Sequence, residues 1–205
     1  TYERELNDLN GAVAAYESIL EHAPDAMDAL RRLDTLYELL EQWDEQLSVL
    51  QRQVALIEEP EVQFNLKFRV AHLRDVRLFE LEEAVEGYAE VLEFGAGHEQ
   101  CLSRLEGWIR ENREPRGALE ILVPKHESAG AWSRLVAVYE ELLQHLDVLD
   151  ERIETNQLIA EIYENRLENG LQAFQVLGRA LSEDMTREDL LNNLERLSNS
   201  LENWP

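Results

Sequence analysis

The chain has 205 residues, 44% of them hydrophobic, with five prolines, nine glycines and no run that alternates apolar and polar side chains as a strand does. That composition excludes a disordered chain and points to an all-α protein. With 43 acidic against 19 basic side chains, a net charge of −24, the chain repels phosphate backbones and anionic lipid, so neither nucleic acid nor a membrane surface is expected as a partner.

In chain order, apolar residues at three- and four-residue intervals predict helices near 1–7, 9–22, 26–41, 43–58, 61–78, 81–94, 98–112, 115–129, 131–146, 150–167, 170–182 and 186–201. The breaks carry turn chemistry: "HAPDA", "EEPE", "EFGAGHE", "NREPRG", "ESAGAW", "ENG" and "SEDMTRED". Connections this short make consecutive helices antiparallel neighbours. Pro115 suits the first turn of its helix, where a missing N–H costs nothing, whereas Pro124 should kink or interrupt the same helix after Val123. Cys101, the single cysteine, rules out an internal disulfide and a cysteine zinc site; on an apolar helical face it reads as a buried structural thiol. No signal peptide and no apolar run near the ~18 residues of a membrane helix are present. A soluble protein is expected, cytoplasmic rather than periplasmic. Because "TYEREL" begins inside a helical pattern, the chain reads as a piece of a longer protein.

The helices repeat. Laying residues 73–97 over residues 1–25, a shift of 72, pairs Ala12 with Ala84, Val13 with Val85, Tyr16 with Tyr88 and Leu20 with Leu92. Two units of about 36 residues account for that spacing. A second shift, of 89, pairs Trp43 with Trp132, Val70 with Ile159, Ala71 with Ala160 and Ala84 with Ala173. The two shifts differ by about half a unit, and the extra element is "PRGALEILVPKHESA" at 115–129. The expected organisation is therefore one repeat domain over 1–205. It has an N-terminal block near 1–112, an inserted kinked helix forming an irregular joint near 113–131, and a C-terminal block near 132–205.

The repeating unit resembles the tetratricopeptide repeat, in which about 34 residues form two antiparallel helices, A and B. The family's B helix carries a small alanine, an aromatic four residues later, a small residue three further on and a closing proline. Ala12, Tyr16 and Pro24 match these positions, with Ile19 in place of the small residue. Ala84, Tyr88 and Val91 match with Ala96 in place of the proline, and Ala173, Leu177 and Ala180 keep the small residues without the aromatic. The A-helix pattern appears as Leu33, Asp34, Tyr37 and as Ile159, Ala160, Tyr163. The resemblance implies a right-handed helical-hairpin solenoid of about 11–12 antiparallel helices. Each apolar stripe would be shared with the next hairpin. Small residues at Ala12, Ala84 and Ala173 would allow close approach, and Tyr16, Tyr37, Tyr88, Tyr139 and Tyr163 would fill the space between helices.

Signatures of chemistry are absent. There is no GxxxxGK[ST] loop, Gln100 stands where GxGxxG would place its last glycine after Gly95 and Gly97, and neither HExxH nor GxSxG occurs. His22, His72, His98, His126 and His145 are scattered, and none follows a glutamate by three residues. No enzyme activity, metal or cofactor is expected. In the family that the chain resembles, A helices line a groove for peptides or partner helices. Carried across by register, the groove positions are Arg31, Thr35 and Glu38; Asn65, His72 and Asp75; Gln100, Ser103 and Arg110; and Glu154, Gln157, Glu161 and Asn165. One branch of the family clamps carboxylates with lysine and asparagine at such places. Here Arg31 and Thr35 stand instead, and Glu154, Glu161 and Glu164 make the late helix acidic. The expected function is a non-enzymatic scaffold that presents an acidic concave surface to a basic peptide or protein segment. The rival expectation is a structural spacer, or a module that self-associates through exposed terminal helices. An acidic, salt-adapted source would give the same charge balance without any such partner.

Overall fold

The computed structural model describes residues 8–94 and 99–202. The expected helix at 1–7 lies outside these residues, as do His98, the Gly95 and Gly97 pair, Ala96 and Trp204. The protein is all-α. Among the described residues there are eleven helices: α1 (Leu9–His22), α2 (Met27–Leu39), α3 (Trp43–Leu56), α4 (Pro60–Leu73), α5 (Leu81–Phe94), α6 (Glu99–Arg110), α7 (Pro115–Ser128), α8 (Trp132–Leu143), α9 (Leu149–Asn165), α10 (Gly170–Glu183) and α11 (Glu188–Glu202). Consecutive helices pack as hairpins from α1 through α5 and from α7 through α11. None of the described helices is long and apolar enough to cross a membrane.

Local chemistry explains the helix starts. The Asp8 carboxylate accepts the N–H of Gly11 at 2.9 Å and so caps α1, and the Asn169 side chain accepts the N–H of Gln172 at 3.1 Å at the head of α10. Pro60 and Pro115 occupy the first helical positions of α4 and α7, where no N–H bond is forfeited. The helix expected at 61–78 changes form partway: α4 ends at Leu73 and passes into a π-helical turn, Arg74–Leu78, closed by Phe79 at φ +59°. The expected interruption at Pro124 is absent, since α7 runs through it to Ser128. A proline there costs one helical hydrogen bond, that to the carbonyl of Glu120. Glu120 is exposed, so solvent can take the orphaned carbonyl.

The chain divides into two compact units, Thr1–Cys101 and Leu102–Pro205, with the division in the first turn of α6. In the first unit, Ala12, Val13 and Leu20 of α1 pack with Leu30, Leu33, Leu36 and Tyr37 of α2 and Val49 of α3. A second cluster joins Leu50, Ile57, Leu66 and Leu73. In the second unit Leu105, Trp108, Ile109, Leu122, Leu135, Ile153, Ile159 and Leu190 are buried to within 1% exposure, each side chain contributing roughly 1.5–3 kcal/mol. The repeat alanines Ala12, Ala84 and Ala173 are buried as expected, and so is Cys101, whose thiol is pushed up to about 12 by burial. α5 packs closely on α4 at Gly87, where a Cβ would lie 2.8 Å from the Cβ of Ala71. Of the five tyrosines expected between helices, Tyr37, Tyr88 and Tyr139 are interior, whereas Tyr16 and Tyr163 are half-buried.

Candidate binding clefts

In the first unit a cleft opens where the end of α2 and the start of α3 meet α4. Leu50, Leu73 and Val76 give it an apolar floor, Trp43 a wall, and Glu38, Arg69, His72 and Arg77 a polar rim. The cleft holds about 200 Å³. Asp34 of α2 anchors it from beneath. Only 6% exposed, Asp34 accepts both guanidinium nitrogens of Arg69, at 2.7 and 2.9 Å, and the Gln46 amide at 2.9 Å. This ties α2, α3 and α4 through one carboxylate, a geometry worth more than a monodentate pair. Arg77 lies over the Trp43 ring with its guanidinium carbon 4.6 Å from the centroid.

In the second unit a cleft of about 370 Å³ lies along α9, α10 and α11. Its floor is Ala160 and Leu177, and its sides are Gln157, Glu161, Glu164, Asn165, Asn193 and Arg196. Arg196 forks onto both oxygens of Glu164, and this hydrogen bond holds the Glu164 carboxyl below the usual range despite partial burial. Gln157 donates to Asp189 at 2.9 Å. Asp189 is held down at about 2, chiefly by its hydrogen bond from Arg187. A smaller recess between α6 and α8 is taken up by ion pairs. There Arg134 forks onto Glu106 at 3.0 Å for each bond, and Arg110 sits 3.8 Å from Glu141. Buried His126 of α7 also meets Glu106, with Nε2 3.0 Å from the carboxylate.

The residues expected to line a groove fare differently. Glu38 and His72 share the first-unit cleft, and Gln157, Glu161 and Asn165 share the second-unit cleft. Arg31, Thr35 and Asn65 are exposed on their helices; Thr35 and Asn65 donate back to the carbonyls of Arg31 and Glu61. Gln100, Ser103 and Arg110 are exposed on α6, and Glu154 is exposed on α9. Asp75 departs from expectation: it is fully buried and accepts the Tyr88 hydroxyl at 3.2 Å, so it serves the packing of α5 rather than a surface. Glu164, part of the expected acidic stripe, is engaged by Arg196. Sequence reasoning missed Trp43, Gln46, Arg77, Asn193 and Arg196. One signal for Gln46 was available, since Gln46 and Gln53 share the face of α3 that buries Val49 and Leu50.

Among the described residues no group of three or more His, Cys, Asp and Glu side chains could hold a metal ion. No protein-family model matches the chain, and no curated protein matches it. Solved structures similar to it include MamA, at 16% identity and a TM-score of 0.41, covering 89% of this chain and 86% of that one. They also include YrrB, a TPR protein with an unusual peptide-binding site, at 14% identity and a TM-score of 0.39, covering 93% and 85%. BtubC from P. vanneervenii matches at 15% identity and a TM-score of 0.39, covering 100% and 94%. In its paired helices, and in the spacing of Ala12, Tyr16 and Pro24, the chain resembles tetratricopeptide-repeat proteins.

Proposed function

We propose that the protein is a non-enzymatic interaction scaffold whose second unit receives a basic peptide segment in the cleft along α9 and α11. The supporting observation is Glu161. It is an exposed carboxylate on the side of that cleft, beside Asn165 and Gln157 and above the apolar floor of Ala160 and Leu177. No cation among the described residues pairs with it, whereas Glu164 beside it is paired with Arg196. A lysine or arginine entering the cleft meets an available charge and amide groups that can orient it. Glu154, exposed three residues before Gln157, adds attraction at longer range.

Repeat helices are well suited to this work, because the packed faces hold the cleft open while the outward faces vary freely. The net charge of −24 steers cationic segments to the chain at low salt. The test is a titration with a lysine- and arginine-bearing peptide, at low and high salt, against the double variant Glu154→Lys, Glu161→Lys. Binding should weaken at least tenfold in the variant and fall with salt in the wild type. Glu164 is left intact so that Arg196 keeps its partner. Equal affinity of variant and wild type would sink the acidic-cleft assignment.

A further inference from the structure

The two units repeat one joint. At the shift of 89, Trp43 answers to Trp132 and Arg77 to Arg166. Each arginine lies over its tryptophan, with the guanidinium carbon 4.6 and 4.7 Å from the ring centroid. Left-handed residues stand at matching places. Glu41 and Gly130, at φ +56° and +64°, precede the tryptophans by two residues, and Phe79 and Glu168, at φ +59° and +52°, follow the arginines by two. Between them Ala71 matches Ala160 and Leu73 matches Ile162, all buried. What the two copies share closes the joint. What differs at its exposed positions is not dictated by that closure.

Three exposed positions differ in the same sense. Glu154, Glu161 and Glu168 of the second unit stand where the first has Asn65, His72 and Phe79. The first-unit face therefore lacks three carboxylates that its counterpart carries. No carboxylate among the described residues lies within ion-pair reach of exposed Arg77, and Glu80, close to it in sequence, is turned to Arg74 at 3.5 Å. Phe79 is 72% exposed, so the core makes little use of its ring. Nor does the turn require an aromatic, since Glu168 holds the same left-handed conformation. An exposed ring two residues from a guanidinium without a carboxylate has the make-up of an interface anchor. We propose that the turn closing α4 docks an acidic segment of a protein partner, with a carboxylate on Arg77 and a flanking apolar side chain against Phe79. The site lies wholly in the first unit and is independent of the acidic cleft in the second. Arg166 has the same stack, but the exposed Glu161 and Glu168 of its joint repel an acidic guest, so the second unit is an internal control. The net charge of −24 opposes the approach of such a segment at long range. At about 0.15 M salt that field is screened beyond roughly 8 Å, while the contact with Arg77 remains.

The test titrates the whole chain, at that salt, with the blocked peptides Asp-Leu-Glu-Leu-Asp, Asp-Ser-Glu-Ser-Asp and Lys-Leu-Lys-Leu-Lys, while following the indole N–H resonances of Trp43 and Trp132. Trp43→Phe and Trp132→Phe serve only to assign the signals. The acidic leucine peptide should shift Trp43 saturably and leave Trp132 in place. It should bind roughly tenfold more tightly than the serine peptide, which keeps the charge and loses the apolar contact. The lysine peptide should leave Trp43 unmoved. Arg77→Gln should weaken the acidic leucine peptide roughly fivefold. Phe79→Glu should weaken it at least as much, and the turn tolerates that change because Glu168 occupies the equivalent position. Glu38→Gln, which removes an acid from the rim of the neighbouring cleft, should not weaken it. The proposal is overturned by an unmoved Trp43 signal, by an equal shift of Trp132, or by a Trp43 shift with the lysine peptide. It is equally overturned if the serine peptide binds as tightly as the leucine peptide, if Glu38→Gln weakens binding, or if binding is indifferent to Arg77→Gln or to Phe79→Glu.

Discussion

The first unit joins three of its helices, α2, α3 and α4, through an interior carboxylate, whereas the second joins α8, α9, α10 and α11 through arginines nearer the surface. Asp34 is buried and holds α2, α3 and α4 together through Arg69 and Gln46. In the second unit Arg152 of α9 forks onto Glu183 of α10 and donates to the carbonyls of Leu143 and Leu146 at the end of α8. Arg179 of α10 bonds Asn156 of α9 and Glu140 of α8, and Arg196 of α11 grips Glu164 of α9. A strongly acidic chain thus puts many of its arginines to work as ties between helices. The carboxylates they grip are tied up within the fold, and those with no ion pair among the described residues, such as Glu161, are the ones the proposed acidic cleft relies on. The lesson concerns dielectric as well as number: a buried tie is costly to break, whereas an exposed one is screened.

The largest effect should come from Asp34→Ala. It leaves Gln46 without its acceptor and Arg69 without its carboxylate, and should cost about 3 kcal/mol, the lower end for a broken buried pair because Arg69 stays half-exposed. Urea unfolding measures it, and a loss below about 1 kcal/mol would show that the first unit does not depend on this centre. An intermediate effect is expected at Glu106, which lies between the two extremes with its side chain 19% exposed. Burial there opposes ionisation, but the close contact of His126 and the forked hydrogen bonds from Arg134 outweigh it and hold the carboxyl below its usual range. A lowered folded pKa means that the stabilisation is complete above the ordinary carboxylate value of about 4.3 and is lost as pH falls through the folded value. Glu106→Gln should therefore cost about 2 kcal/mol at neutral pH, and the gap from wild type should close as the solution is acidified below about pH 4. A gap that stays constant with pH would show that packing, not charge, sets the difference. The smallest effect should be Arg196→Gln, at most about 1 kcal/mol and shrinking with added salt, since Arg196 is more than half exposed. A loss as large as that of Asp34→Ala would erase the contrast between the two units.

Much of the architecture was legible because helix periodicity and turn chemistry are local. Ala12 and Ala84 announced close packing, and Pro60 and Pro115 stand at helix starts because their fixed φ suits that position. The candidate sites were less legible. Glu38, His72, Gln157, Glu161 and Asn165 were found by register, but register treats every outward position alike. It placed Asp75 on a surface, although the π-helical turn and Tyr88 enclose it. It counted Glu164 among the available acids, although Arg196, 32 residues later, claims it. It passed over Gln46, since a polar residue on an apolar face gains meaning only when its partner, Asp34, is known.

By itself the sequence determined the all-helical class, the place of each described helix though not its ends, the repeat spacing and the burial of Cys101 and the alanines. Backbone hydrogen bonds and apolar stripes act over a few residues, so the order of side chains suffices for them. Tertiary structure alone decided which charges are spent and which remain, that Pro124 is carried within α7, and that Gln46 ends a buried network beneath Trp43. Those outcomes depend on distances between groups far apart in the chain. Pairing energies fall with separation and rise with burial, and neither quantity is written in residue order.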